Sequence, residues 1–81
     1  MNKVTLFSKS GCHLCDETFD QLVEMQASVL FEIETIDIRS SPELYQRFRT
    51  VIPAVRVLDR LFEEGPFTPE TLEEILREVS Q

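Results

Sequence analysis

At 81 residues the chain is expected to hold a single domain spanning 1–81, and 42% hydrophobic against 28% charged residues is an ordinary globular balance that argues against disorder and against a membrane span. Asp and Glu number 15 against 8 Lys and Arg, a formal net charge of -7, which disfavours nucleic acid as a partner. The acids are scattered rather than blocked, so they read as solvated helix faces that keep the protein soluble.

The stretch Met1 to Phe7 has one positive charge and too short an apolar run for a secretory signal, so a cytoplasmic protein is expected. Val4 to Phe7 is continuously apolar or β-branched, as a central strand covered on both faces requires. Ser8-Lys9-Ser10-Gly11 then leads to a helix beginning near Cys12. From Cys15 onward Phe19, Leu22, Val23 and Gln26 follow helical spacing, and Asp16, Glu17 and Asp20 occupy the early turns, where negative charge suits the helix dipole.

Phe31 to Ile38 predicts a second strand whose apolar side switches from Phe31 and Ile33 to Ile36 and Ile38, through a bulge or through cover on both faces late in the strand. Ser40 and Ser41 before Pro42 and Glu43 offer an N-cap, a first-turn proline and a capping-box acid for a short helix to about Phe48, with Leu44 and Phe48 as its apolar side. Val51-Ile52-Pro53 leads into a third strand, Ala54 to Leu58. Leu61 to Glu63 follows as a fourth after an Asp59-Arg60 turn that lacks the preferred glycine. Gly65-Pro66 breaks the chain, Thr68-Pro69 caps a last helix, and Leu72, Ile75, Leu76 and Val79 form its apolar stripe. The order β-α-β-α-β-β-α predicts an α/β fold, a four-stranded mixed sheet with three helices on both faces; the pattern does not set the spatial order of the strands.

Cys12 and Cys15, the only cysteines, stand at the junction of the first strand and the first helix. A thiol at a helix start faces unpaired N–H groups and the positive dipole end, and should ionise easily. Dithiol chemistry needs an exposed, partly ionised first thiol and a second thiol one helical turn away to attack the mixed disulfide, and this spacing provides both. A purely structural disulfide is poorly motivated, because so short a loop stabilises by about 2 kcal/mol against roughly 3 for a fifteen-residue loop. Metal binding is the other alternative, since Cys12, His13 and Cys15 are all metal-ligand types. With no further cysteine or histidine, a zinc site would need a carboxylate or water, and an iron–sulfur cluster would need thiolates from a second subunit in a homodimeric carrier.

His13 would favour the Cys12 thiolate if protonated, or simply fill an exposed first-turn position; no orienting partner for it is evident in the sequence. Lys9 is placed either to stabilise the thiolate or bind a partner's carboxylate, or as a solvated loop residue. Leu14 offers an apolar contact to a docking peptide or packs.

Lys9-Ser10-Gly11-Cys12-His13-Leu14-Cys15, with Val51-Ile52-Pro53 before a strand, resembles the glutaredoxin branch of the thioredoxin superfamily over essentially the whole chain. The Gly-Cys-His-Leu-Cys stretch, Asp37 ending the second strand and the Ile-Pro junction look more closely like the small bacterial glutaredoxin-like proteins. The resemblance implies a thioredoxin-like fold and a thiol–disulfide oxidoreductase with Cys12 as nucleophile and Cys15 as resolving thiol. It implies that Pro53 is a cis proline facing the pair, with the Ile52 backbone free to take a substrate peptide as an added strand. It also implies that Lys9 and the backbone before Pro53 contribute to glutathione binding. The expected partners are therefore a disulfide-containing protein or a glutathione mixed disulfide, acted on by a monomer without a resident cofactor, with glutathione as one candidate reductant. The family's Pro-Tyr between the cysteines is His13-Leu14 here, and about Phe67-Thr68-Pro69-Glu70 stands where the family has a Gly-Gly turn before an acidic helix start. Without paired glycines the backbone cannot approach glutathione as closely. Thioredoxin itself matches less well, since Gly11 replaces its tryptophan before the first cysteine.

Overall fold

In the computed structural model, which describes residues 2–63 and 67–79, the chain runs β1 (Asn2–Ser8), α1 (His13–Met25), β2 (Phe31–Asp37), a single 3-10 turn (Ile38–Ser40), α2 (Pro42–Phe48), β3 (Ala54–Val57), β4 (Arg60–Phe62) and α3 (Pro69–Val79). The strands lie side by side as β2-β1-β3-β4. β1 is parallel to β2 and antiparallel to β3, and β3 and β4 form an antiparallel hairpin. The mixed sheet is therefore the one expected, with β1 inside it. Gly65 and Pro66, read as a break before the last helix, lie outside the described residues.

Strand alternation sorts the core onto two faces. Val4 and Leu6 of β1, Val55 and Val57 of β3 and Phe31 of β2 point to one side, where they meet Leu22 of α1 and Leu72, Ile75 and Leu76 of α3. Phe7 and Ala54 point to the other, where Ile38 and Phe48 close a smaller cluster. The phenyl rings of Phe7 and Phe48 stack with centroids 4.3 Å apart, so α2 is joined to the sheet by an aromatic contact, with Leu44 packed against the same cluster. Seven consecutive β1–β2 pairs, from Asn2 with Phe31 to Ser8 with Asp37, leave no room for a bulge. The apolar switch in β2 arises instead because Ile33 packs toward α1 and α3 whereas Ile36 packs toward α2.

The first helix departs from its sequence reading. Phe19 and Val23 are 39% and 44% exposed, and the inward side is Cys15, Thr18 and Leu22, with Met25 packed against the same cluster. Those four residues follow one turn-by-turn row, and Phe19 and Val23 lie one residue further round the cylinder. Thr18 is tolerated inside because its hydroxyl donates to the Leu14 carbonyl at 2.9 Å. At α2, Ser41 is the N-cap, accepting from Leu44 N at 3.3 Å, with Pro42 at the first helical position. Glu43 therefore falls one residue short of the position a capping box needs. The β3–β4 loop is the residue pair Leu58-Asp59, and Leu58 takes φ 57, the left-handed conformation a glycine would normally supply.

Candidate active site

β1 leaves the sheet between β2, which it has just paired in parallel, and β3, which begins beside it. Crevices at such points, beyond the carboxyl ends of parallel strands, are where open α/β sheets place their ligands. The turn that follows is tight: Cys12 N donates to the Lys9 carbonyl at 3.3 Å, and Gly11 takes φ +85 with nothing within 4 Å of where a Cβ would be. Glycine is needed at that position for its backbone conformation.

This turn sets Cys12 as the N-cap of α1. Its sulfur accepts the Cys15 backbone N–H at 3.2 Å, and its carbonyl accepts Asp16 N at 3.1 Å, so a side chain and a backbone group together satisfy the first donors of the helix. The two cysteines are joined as a disulfide with Cα atoms 5.2 Å apart. They are not equivalent: Cys12 is half-buried and Cys15 is 1% exposed, on the row with Thr18 and Leu22. Leu14, between the two cysteines in sequence, is 45% exposed.

Two contacts at the site escaped the sequence reading. His13 does have an orienting partner, Glu17, whose carboxylate lies 3.1 Å from Nε2 one helical turn on; the i, i+4 spacing was its signal. The second is Arg39, whose guanidinium reaches Ser10 Oγ in the cysteine loop. Asp37 holds Arg39 in place, accepting from its backbone N at 2.8 Å and from its side chain. These hydrogen bonds from Arg39, backbone first, keep the Asp37 carboxyl below its ordinary value of 3.8. Because β1 and β2 are parallel and end together at Ser8 and Asp37, the residues after each strand meet.

The Ile52–Pro53 peptide is cis. Pro53 is buried immediately before Ala54, which pairs with Phe7, so the chain entering β3 lies alongside the chain leaving β1 for Cys12. Ile52 is partly buried against the Phe7–Phe48 cluster. Lys9, Cys12, His13, Leu14, Cys15, Ile52 and Pro53 thus gather at one end of the sheet. A concavity of about 420 Å³ between β4 and α3, lined by Leu61, Phe62, Glu63, Phe67, Thr71 and Ile75, contains none of them. Among the described residues no group of three or more His, Cys, Asp or Glu side chains is arranged to hold a metal ion, and no helix is long and apolar enough to cross a membrane.

Phe67 and Thr68, set by the sequence resemblance at about the place of a Gly-Gly turn, have structural tasks of their own. Phe67 is 5% exposed in the larger core cluster. Thr68 and Thr71 cap α3 reciprocally: Thr71 N donates to Thr68 Oγ1 at 3.2 Å, and Thr68 N donates to Thr71 Oγ1 at 2.9 Å.

Solved structures share this fold at low identity. An X-ray structure of the protein XcR50 from X. campestris superposes with a TM-score of 0.78 at 24% identity, covering 93% of this chain and 96% of that one. The solution structure of Ne2328 from Nitrosomonas europaea gives 0.77 at 23% identity, covering 93% and 91%. Oxidized mitochondrial thioredoxin 3 from Saccharomyces cerevisiae gives 0.66 at 20% identity, covering 95% and 77%. A search of curated protein sequences returned no significant match. Residues 3–78 match the model of the glutaredoxin-like domain (DUF836), and the chain therefore belongs to that family, with the fold of the thioredoxin superfamily.

Proposed function

We propose that the protein is a dithiol oxidoreductase that reduces disulfides, with Cys12 as the attacking thiol and Cys15 as the resolving one. The observation that carries this is the Cys12 sulfur at the start of α1 accepting the Cys15 N–H. A helix terminus and a backbone donor aimed at a sulfur both favour its negative form in the reduced protein. Cys15, at 1% exposure, is shielded from an external disulfide but within reach of its neighbour.

The Cys12 thiolate attacks one sulfur of the target disulfide; the other leaves as a thiolate and takes a proton from solvent. Cys15, losing its proton, then attacks the Cys12 sulfur and expels the second target thiolate. Two electrons have moved to the target, and the Cys12–Cys15 disulfide remains. A thiol reductant, of which glutathione is one candidate, must return them. Ile52, next to cis Pro53, offers backbone groups to an extended target segment, Leu14 offers apolar contact and Lys9 a cation for a carboxylate. His13, paired with Glu17, stands beside Cys12. The exposed Leu14 between the cysteines in sequence suits a protein segment better than a small ligand that needs enclosure. Glutathione recognition is weak, because Phe67 is committed to the core and Thr68 to capping α3, so no glycine pair lets the backbone close on it. The protein acts as a monomer in a reducing compartment, the cytoplasm, with no resident cofactor.

Cys15→Ser is the direct test. It should accumulate covalent adducts through Cys12 when given a protein disulfide, visible as added mass that reductant removes. Sustained multiple turnover of a protein disulfide by Cys15→Ser would overturn the assignment. Faster turnover of a glutathione mixed disulfide than of a protein disulfide by the native chain would reverse the preferred substrate.

A further inference from the structure

Charge is unevenly distributed over this acidic chain. Residues 38–60 carry Arg39, Arg47, Arg49, Arg56 and Arg60 against Glu43 and Asp59, a net +3, whereas the remainder, with Lys3, Lys9 and Arg77 against 13 acids, is -10. The fold gathers four of these arginines on or beside the α2 face of the sheet. Arg47 lies 5.0 Å from the centre of the Phe48 ring, Phe48 stacks on Phe7, and Arg56 lies 5.3 Å from the centre of Phe7, giving a column of cation, ring, ring and cation. Arg39 extends the same charge to the cysteine loop through Ser10.

Not all of this charge is internally neutralised. Arg39 is held by Asp37, and Arg47 by Glu63. Arg49 and Arg56 are exposed and have no ion-pair partner among the described residues. Arg49 is the C-cap of α2, three residues before Ile52, so a segment adding its backbone at Ile52 passes close to it. On the other side of the cysteines α1 presents Asp16, Glu17 and Asp20. The candidate active site therefore lies on a border between an acidic and a basic surface.

We propose that the α2 face is a docking surface for an acidic segment of the disulfide-bearing protein partner, with carboxylates flanking the partner's cysteine seated on Arg49 and Arg56. This rests on the oxidoreductase function above and names its partner class. An acidic segment is repelled by the net charge of the rest of the chain and attracted to this face, so the same field that draws it in also orients it toward Cys12. Exposed ion pairs are individually weak. The gain is consequently in encounter rate, and salt removes it.

The test uses the full-length protein, reduced beforehand and freed of reductant, so that its own dithiol supplies the two electrons in a single turnover. Three synthetic peptides share one disulfide-bonded core and differ only in glutamate, serine or lysine flanks. At about 20 mM ionic strength the glutamate peptide should be reduced on the order of tenfold faster than the serine peptide and the lysine peptide more slowly, with the differences collapsing at about 0.5 M salt. Arg49→Ala and Arg56→Ala should each lower the glutamate-to-serine rate ratio about threefold. Arg77→Ala removes the same charge from α3, on the opposite face, and should leave the ratio unchanged. Arg49 contributes no core packing, so its variant reads the effect even if Arg56→Ala is destabilised by losing its contact with Phe7. Equal rates for the glutamate and serine peptides at low salt, or an equal loss of ratio in Arg77→Ala, would overturn the docking surface. Failure to reduce even the serine peptide would instead overturn the oxidoreductase function, so the two outcomes are distinct.

Discussion

Shortening Phe48 to alanine or to leucine separates the two ways in which α2 is held to the sheet. Phe48 is 5% exposed and is the one fully buried residue of α2; its ring lies 14° from parallel to that of Phe7, with the Arg47 guanidinium near its centre. Phe48→Ala removes the whole ring and should cost about 3–5 kcal/mol. That is a large part of the total of about 4–12 kcal/mol expected for a chain of this length. Phe48→Leu keeps apolar volume but loses the ring contact, about 0.5–1.5 kcal/mol, and the cation contact, about 0.5–1 kcal/mol. Urea unfolding followed by far-ultraviolet circular dichroism, with the slope of each transition compared, gives both values. If Phe48→Leu matches the native protein, the stack and its cation contribute nothing beyond burial. If Phe48→Ala costs under about 1 kcal/mol, α2 is anchored elsewhere, and the path from α2 to cis Pro53 does not depend on this ring.

Leu58→Gly should stabilise the protein by about 0.5–1 kcal/mol, because it removes a left-handed side-chain penalty of about 1–2 kcal/mol against a smaller loss of unfolded-state restriction; a lower melting temperature would refute the strain at φ 57. Asp37→Asn should flatten the acid limb of stability. The native carboxyl is held below 3.8, so its contribution is present at higher pH and is lost as pH falls through that lowered value. Urea midpoints of the two proteins should accordingly converge below about pH 3, and a constant gap down to pH 2.5 would count against the Arg39 brace. In the reduced protein limited iodoacetamide at neutral pH should label Cys12 about tenfold or more ahead of Cys15, as peptide mapping would read; labelling of Cys15 first would reverse their roles.

Much of the fold is legible in the sequence because periodicity and breakers agree along it. The run Val4 to Phe7, the capped starts at Ser41 and Thr68 and the row Leu72, Ile75, Leu76 each announce the element they form. The cysteine pair is legible for the same reason, since its spacing and its place between a strand and a helix are both local. What stays hidden depends on which strands become neighbours. Phe19 and Val23 look as internal as Leu22 until the side of α1 that meets the sheet is known, and a buried threonine with a satisfied hydroxyl disguises the true inner row. The meeting of Arg39 with Ser10 follows from parallel pairing of β1 and β2 in a register that no single segment reveals. Likewise, the row of arginines is dispersed in sequence and becomes a surface only through the Phe7–Phe48 stack.

The turn before Cys12 selects for chirality and is indifferent to bulk. At φ +85, Gly11 stands where an L-residue is strained, yet a methyl group there would touch nothing within 4 Å. L-alanine should therefore weaken the turn by about 1–2 kcal/mol. D-alanine, whose mirror-image preference is for positive φ, would put its methyl group in the place of the other α-hydrogen, avoid that penalty and also narrow the unfolded ensemble. Two semisynthetic proteins identical in every atom and bond, differing only in handedness at one carbon, should thus unfold at different denaturant concentrations, the D form being the more resistant. The restriction that leads the chain from β1 to its first thiol is stereochemical: it lies in the backbone conformation of one residue and not in any crowding where an L side chain would sit.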